Sequence, residues 1–244
     1  MPLPKLDVPI YEAKLISDGR VVKFRPFLVK EQKLLLMANH SDDLKESMEV
    51  IKQVLNNCIL TENIKVDDLA TFDLEYLFLQ LRAKSVEEVV KLRYTCNNDI
   101  VSENGESTKC GGVVKFDLNL QEITPTKNEN HTNKIELTPK LGVVMKYPTF
   151  NLIEKVENSE DLDIFEMMLD CVDYIYDEDN IYYAKDHTKE ELMDFFENMK
   201  KEDFQKIELF FQTMPKLKKD LDFKCPKCGY EEQITLEGIQ SFFG

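Results

Sequence analysis

The chain has 244 residues, and its 31 Lys+Arg against 46 Asp+Glu leave a formal net charge of −15 and a pI near 4.7. So acidic a polymer repels phosphate backbones and anionic lipid, and the sequence holds no compensating basic patch, which argues against nucleic acid and membranes as partners. At 43% hydrophobic and 10% aromatic residues the composition is that of a folded protein, and a chain of this length buries roughly 70% of its extended surface without help from disulfides or metal.

The opening stretch MPLPKLDVPIYEAK carries prolines and early charges and no apolar core, which argues against a signal peptide. No later stretch approaches the ~20 apolar residues of a membrane helix. The six cysteines are therefore expected in a reducing compartment, where metal binding is favoured over disulfides. Tyr11–Ile16 and Val21–Arg25 flank Ser17-Asp18-Gly19-Arg20, a two-residue Asp-Gly hairpin signal. Pairing Ser17 with Arg20 puts Leu15 opposite Val22 and Ala13 opposite Phe24 on an apolar face, with Glu12, Lys14 and Lys23 outside.

From Leu44, apolar residues at Leu44, Met48, Ile51, Leu55 and Cys58 form a helical stripe. A second helix is predicted from about Asp68 to Ala83, apolar on more than one side and so buried on several. Val86–Tyr94 and Val113–Leu120 read as strands joined by a polar loop. Residues 124–133 (TPTKNENHTN) form a polar, linker-like run. Extended chain follows at Ile135–Tyr147, broken near Pro139. Helical patterns resume through Leu162, Phe165, Leu169, Val172 and Tyr176, then Leu192, Phe195, Phe196 and Met199, with Thr188–Glu191 spaced as a capping box. Phe204, Ile207, Phe211 and Met214 continue as a helix that Pro215 ends. A third hairpin, DFKCPKCGYEEQITL, and the apolar tail GIQSFFG close the chain, and no repeats are evident. Hairpins that pair locally make the fold class α+β. The expected organisation is a single α+β domain over 1–244, with two lobes meeting near 124–133 as the alternative.

Cys225-Pro-Lys-Cys228-Gly229 is the strongest chemical signal: two thiolates turned into one site, with glycine where the chain turns beneath a metal. A closed zinc site needs four ligands, and Cys96 and Cys110, at the lips of the middle hairpin, are the remaining two. The zinc-ribbon-like knuckle thus spans 94–112 and 223–230 and takes one structural zinc, ahead of a rubredoxin-like iron. A redox pair is disfavoured because a strand follows Cys228, where a thioredoxin-like motif opens a helix. Cys58 and Cys171 lie in apolar helical patterns and read as core.

No catalytic arrangement is present. His40, His131 and His187 fall in no HExxH or Cys-His pattern, and no phosphate-binding glycine loop or GxSxG occurs. Asp177-Glu178-Asp179-Asn180 lacks the glycine and glutamate of a calcium loop and reads as a solvated acidic turn.

Four segments carry a family likeness. Val21–Ala38 (VVKFRPFLVKEQKLLLMA), Phe72–Ser85 (FDLEYLFLQLRAKS), Lys146-Tyr147-Pro148 and Phe210–Pro215 (FFQTMP) resemble, in order, T4-like phage baseplate hub and hub-assembly proteins. The resemblance implies a non-enzymatic structural or assembly component of the hub of a contractile tail. Its partners would be other hub or tail proteins, and its location the host cytoplasm during assembly and the virion baseplate. A chaperone that leaves before the virion is complete is one alternative, and an acidic zinc-ribbon adaptor directed at a host protein is another. Within these segments Arg25, Lys30 and Arg82 are polar exceptions, expected as ion-pair partners more than binding contacts.

Overall fold

A computed structural model describes residues 6–38, 44–101, 105, 107–152 and 164–242. Leu162 and His40, named above, and the last two residues of the apolar tail, Phe243 and Gly244, lie outside the described residues.

β1 (Tyr11–Lys14) and β2 (Val21–Phe24) form the first hairpin, in a register that pairs Tyr11 with Phe24 and Ala13 with Val22. This is two residues away from the register a tight Asp-Gly turn would set. The cause is the loop: Leu15 N–H donates to the Arg20 carbonyl at 2.9 Å, leaving a four-residue connection. The Ile16 and Ser17 amides donate to the buried carboxylate of Asp73, at 2.7 and 3.3 Å. A shift of two preserves the faces, so Ala13, Leu15, Val22 and Phe24 are all buried as the alternation requires.

Helices α1 (Val29–Ala38), α2 (Leu44–Cys58) and α3 (Thr71–Ser85) follow. The expected stripe of α2 buries Leu55 and Cys58, together with Val54. In α3, Leu74, Leu77, Phe78 and Leu81 pack against the first hairpin and α2, whereas Leu79 and Ala83 face a separate cluster with Leu118, Leu120 and Leu217. That two-sided burial is why its sequence shows no clean amphipathic stripe. Arg25 pairs with the fully buried Glu31 at 3.0 Å and donates to the carbonyls of Pro26 and Asn57. Lys30, mostly exposed, approaches the same carboxylate at 3.3 Å.

β3 (Val89–Thr95) pairs with β6 (Val113–Asn119), and the loop between them is itself a short hairpin, β4 (Asp99–Val101) with β5 (Ser107–Lys109). Within residues 124–133, Thr126 exchanges backbone hydrogen bonds with Lys216. β7 (Lys134–Thr138) and β8 (Leu141–Met145) turn at Pro139 and join β9 (Val172–Tyr176) and β10 (Ile181–Tyr183) in an antiparallel sheet of order β10-β9-β8-β7. Here the expected long helix through Val172 and Tyr176 is corrected. Helix α4 stops at Asp170 (Ile164–Asp170) and the chain turns at Cys171 into β9. VDYIY is β-branched and aromatic, and pairing with β8 overrides the weak helical period. Helices α5 (Lys189–Glu197) and α6 (Lys201–Thr213) cover this sheet, burying Leu192, Phe196, Ile207 and Phe210. Thr188 and Glu191 form the expected capping box. β11 (Lys218–Lys224) and β12 (Glu231–Glu237) make the last hairpin. After it Ile239, 3% exposed, joins the core cluster that also holds Leu15, Val22 and Leu74, and its N–H donates to Glu75 at 3.3 Å.

Candidate metal centre

The β3–β6 and β11–β12 hairpins follow one plan, contrary to the expectation of no repeats. Each has two seven-residue strands, a cysteine directly after the first strand, and a Cys-Gly pair three and two residues before the second. A short 3-10 turn closes each unit, at Leu120–Glu122 and Ile239–Phe242. Laid one on the other, Leu92 matches Leu221, Tyr94 matches Phe223, Phe116 matches Ile234 and Leu118 matches Leu236. The matched rings of Tyr94 and Phe223 also touch, with centroids 5.6 Å apart.

The backbone bonds of the two cysteine turns are identical in kind. Cys225 N–H donates to the Tyr230 carbonyl at 2.8 Å, and Gly229 N–H donates to the Cys225 carbonyl at 2.9 Å. In the other unit Cys96 N–H donates to Gly112 at 2.7 Å, and Gly111 N–H donates to Cys96 at 3.0 Å. Both following glycines adopt positive φ, +65° at Gly111 and +76° at Gly229, where a Cβ is strained. The wide Cys96–Cys110 spacing is thus a Cys-x-x-Cys-Gly turn with the β4–β5 hairpin inserted in it.

The two turns face each other. The four sulfurs of Cys96, Cys110, Cys225 and Cys228 all lie within 4.8 Å of one another. The Cys96–Cys228 sulfurs are 3.7 Å apart and the Cys110–Cys225 sulfurs 3.6 Å, two pairs that the hairpin likeness interchanges. Four sulfurs around a zinc with bonds of about 2.3 Å form a tetrahedron with edges of about 3.8 Å, so the thiols fit such an ion. Gly112 permits the close approach, since a Cβ there would sit 2.6 Å from Cys225 Sγ and 3.1 Å from Lys227 Cβ. Sequence reading missed that role, because the turn glycine beside it, Gly111, absorbs the obvious explanation.

Electrostatics divides the set. Burial opposes ionisation of Cys225, but amides of Cys228 and Lys227 aimed at its sulfur bring that thiol down to about 6. Burial pushes Cys96 up to about 12, so a thiolate there needs a cation to hold it. Asn98 Nδ2 lies 3.8 Å from Cys228 Sγ, and Lys227 Nζ donates to the Cys110 carbonyl at 2.5 Å, lacing one turn to the other. Phe223, Ile234, Val114 and Phe116 pack beneath the sulfurs. Three of the cysteines are buried and Cys228 half-buried. With all four positions supplied by protein thiols, such a site is a structural staple with no open position for substrate.

Elsewhere, Cys58 and Cys171 are buried among apolar side chains, which push their thiols up to about 11 and about 12. The Asp177 carboxylate is spent on its own turn, accepting from the amides of Asp179 and Asn180 and from Tyr182 Oη at 2.8–2.9 Å. His187 meets Glu191 at 3.2 Å, at the start of α5. His131 sits outside the cysteine centre but is buried, between Thr213 Oγ1 and Tyr147 Oη at 2.9 Å each. Thr213 already donates to the Leu209 carbonyl at 2.7 Å. His131 Nδ1–H therefore donates to Thr213, and Nε2 accepts from Tyr147, a neutral ring used for structure.

The family model described as T4 bacteriophage base plate protein matches residues 8–244. No curated protein and no solved structure matches the chain.

Proposed function

The chain belongs to the T4 bacteriophage base plate protein family, and from that premise we propose that it is a non-enzymatic component or assembly factor of the baseplate hub, acting by protein–protein contact and stapled by one zinc. The match along residues 8–244 carries this reading. The family makes phage tail and baseplate proteins the natural partners and the virion tail the natural location; work in the host cytoplasm during assembly belongs to the proposal. Support for zinc comes from four thiols gathered from chain segments 129 residues apart into a set of tetrahedral size.

Two measurements test this. Mass spectrometry of purified particles is expected to find the chain at fixed stoichiometry. Its absence from particles, together with abundance in infected cells, would identify a transient chaperone instead. Purified protein should hold about one equivalent of zinc, and Cys228→Ser should lower that content and the melting temperature together. Full metal retention in Cys228→Ser would reject the four-thiol assignment, whereas Cys58→Ala and Cys171→Ala should keep their zinc and lose only packing.

A further inference from the structure

Strands at the rim of a sheet attract other strands, and proteins usually blunt them with charge, proline or cover. In this molecule β7, one rim of the four-stranded sheet, is covered: Lys206 Nζ donates to the carbonyls of Glu136 and Leu137 at 3.0 and 3.2 Å. The two-stranded ribbons all carry charged residues along both strands, such as Lys91 and Arg93 in β3 or Lys218, Lys219 and Lys224 in β11. Among the described rim strands, β10 alone carries no charged residue and no proline. Its sequence is Ile181-Tyr182-Tyr183, and those residues are 55%, 38% and 45% exposed.

The aromatic pair is held ready. Tyr182 Oη is fixed on Asp177 at 2.8 Å, and the Tyr183 ring packs edge-on to Tyr174 at 5.8 Å. Pre-ordered tyrosines lose little entropy when covered and are frequent interface anchors. Charge decides the kind of strand that fits. Residues 173–186, which contain β10, hold five carboxylates (Asp173, Asp177, Glu178, Asp179, Asp186) against Lys185, and Lys140 pairs with Glu178 at 2.9 Å, so the flank stays net negative. A second copy of this chain, with its net charge of −15, would bring the same acids to the same rim.

We propose that β10 is the docking edge for an extended, basic segment of another baseplate protein, which joins the sheet as a fifth strand by backbone pairing, its side chains alongside Tyr182 on one face and Tyr183 on the other. This deepens the hub reading and rests on it. Backbone bonds would supply affinity, and the acidic flank would select Lys- or Arg-bearing strands over others.

The test places the photo-crosslinking residue p-benzoylphenylalanine at Ile181, Tyr183 or, on an unrelated exposed face, Val29, in cells assembling baseplates. Links from 181 and 183 should fall on one segment of a different protein, rich in Lys and Arg, at sites about two residues apart as strand pairing demands. Links to a second copy, to an acidic segment, or from neither position would overturn the proposal. If Val29 links to baseplate proteins while 181 and 183 do not, the edge is wrong and the hub reading stands. If baseplates form normally without the chain, the hub reading itself fails. Charge provides a second measurement. Ile181→Lys should lower incorporation into baseplates roughly tenfold at an unchanged melting temperature, and Ile181→Glu distinctly less. Equal losses from the two variants would remove the basic partner.

Discussion

His131 illustrates how a polar residue becomes structural once its partners are known. It is buried beside Tyr147 and Phe210, with ring centroids 5.6 and 5.2 Å away. Burial holds its pKa below the ordinary value, with a further push from Lys127. The unfolded chain therefore takes up this proton first as pH falls. The stability it contributes is complete above about 6.5 and drains away as pH drops from there toward the folded value. Glu75 runs the other way: burial raises it to about 7, so its contribution grows as pH falls through 7. The readout is thus a difference. Melting temperature followed from pH 8 to 5 should fall faster in the wild type than in His131→Gln, and parallel curves would mean that the ring titrates freely. Nothing in TPTKNENHTN signals this role, because its two hydrogen-bond partners come from residues 147 and 213.

At the scale of elements, the two cysteine hairpins separate kinds of glycine. Gly229 has positive φ but open space around the missing Cβ, so Gly229→Ala should cost about 1 kcal/mol and retain metal. Gly112 faces Cys225 Sγ at 2.6 Å, so Gly112→Ala should push the turns apart and lose zinc even though the residue is no ligand. Zinc content measured beside the unfolding midpoint distinguishes the two outcomes. A similar local test applies to α5, where Thr188→Ala removes one half of the capping box and should cost about 1 kcal/mol. That box, α2, α3 and the Cys225–Cys228 knuckle are legible in the sequence because each rests on spacing within a short window, whereas Cys96 and Cys110 follow from the need of a closed zinc site for four ligands. The first hairpin's faces are legible for the same reason, but its register is not, since the loop is held by Asp73 more than fifty residues away. β9 was hidden because Leu169, Val172 and Tyr176 mimic a helical period across a turn. The shared plan of the cysteine hairpins was masked by the insertion that widens one spacing to thirteen residues.

At the scale of the whole molecule, two of the ties between distant segments among the described residues bear on the fold's integrity. Three of the four family-like segments meet at Tyr147: its ring contacts Phe72 at 4.9 Å and Phe210 at 5.5 Å, while Thr213 reaches the same cluster through His131. Those segments therefore join distant parts of the chain through one aromatic cluster. The second tie is the cysteine cluster, which holds the hairpin just before Ile239, itself buried in the core cluster of the first hairpin, α2 and α3. If the metal positions that hairpin, loss of metal should also loosen Ile239 from its pocket. Alone, Ile239→Ala should cost about 2–4 kcal/mol, lowering the melting temperature by roughly 4–16 °C for a chain of this size. In a Cys228→Ser background the same substitution should cost markedly less, because the side chain would already be partly undocked. A double-mutant cycle in denaturant measures that coupling. Strict additivity would mean that the C-terminal turn docks without the metal's help, leaving the four thiols to stabilise only the paired hairpins around them.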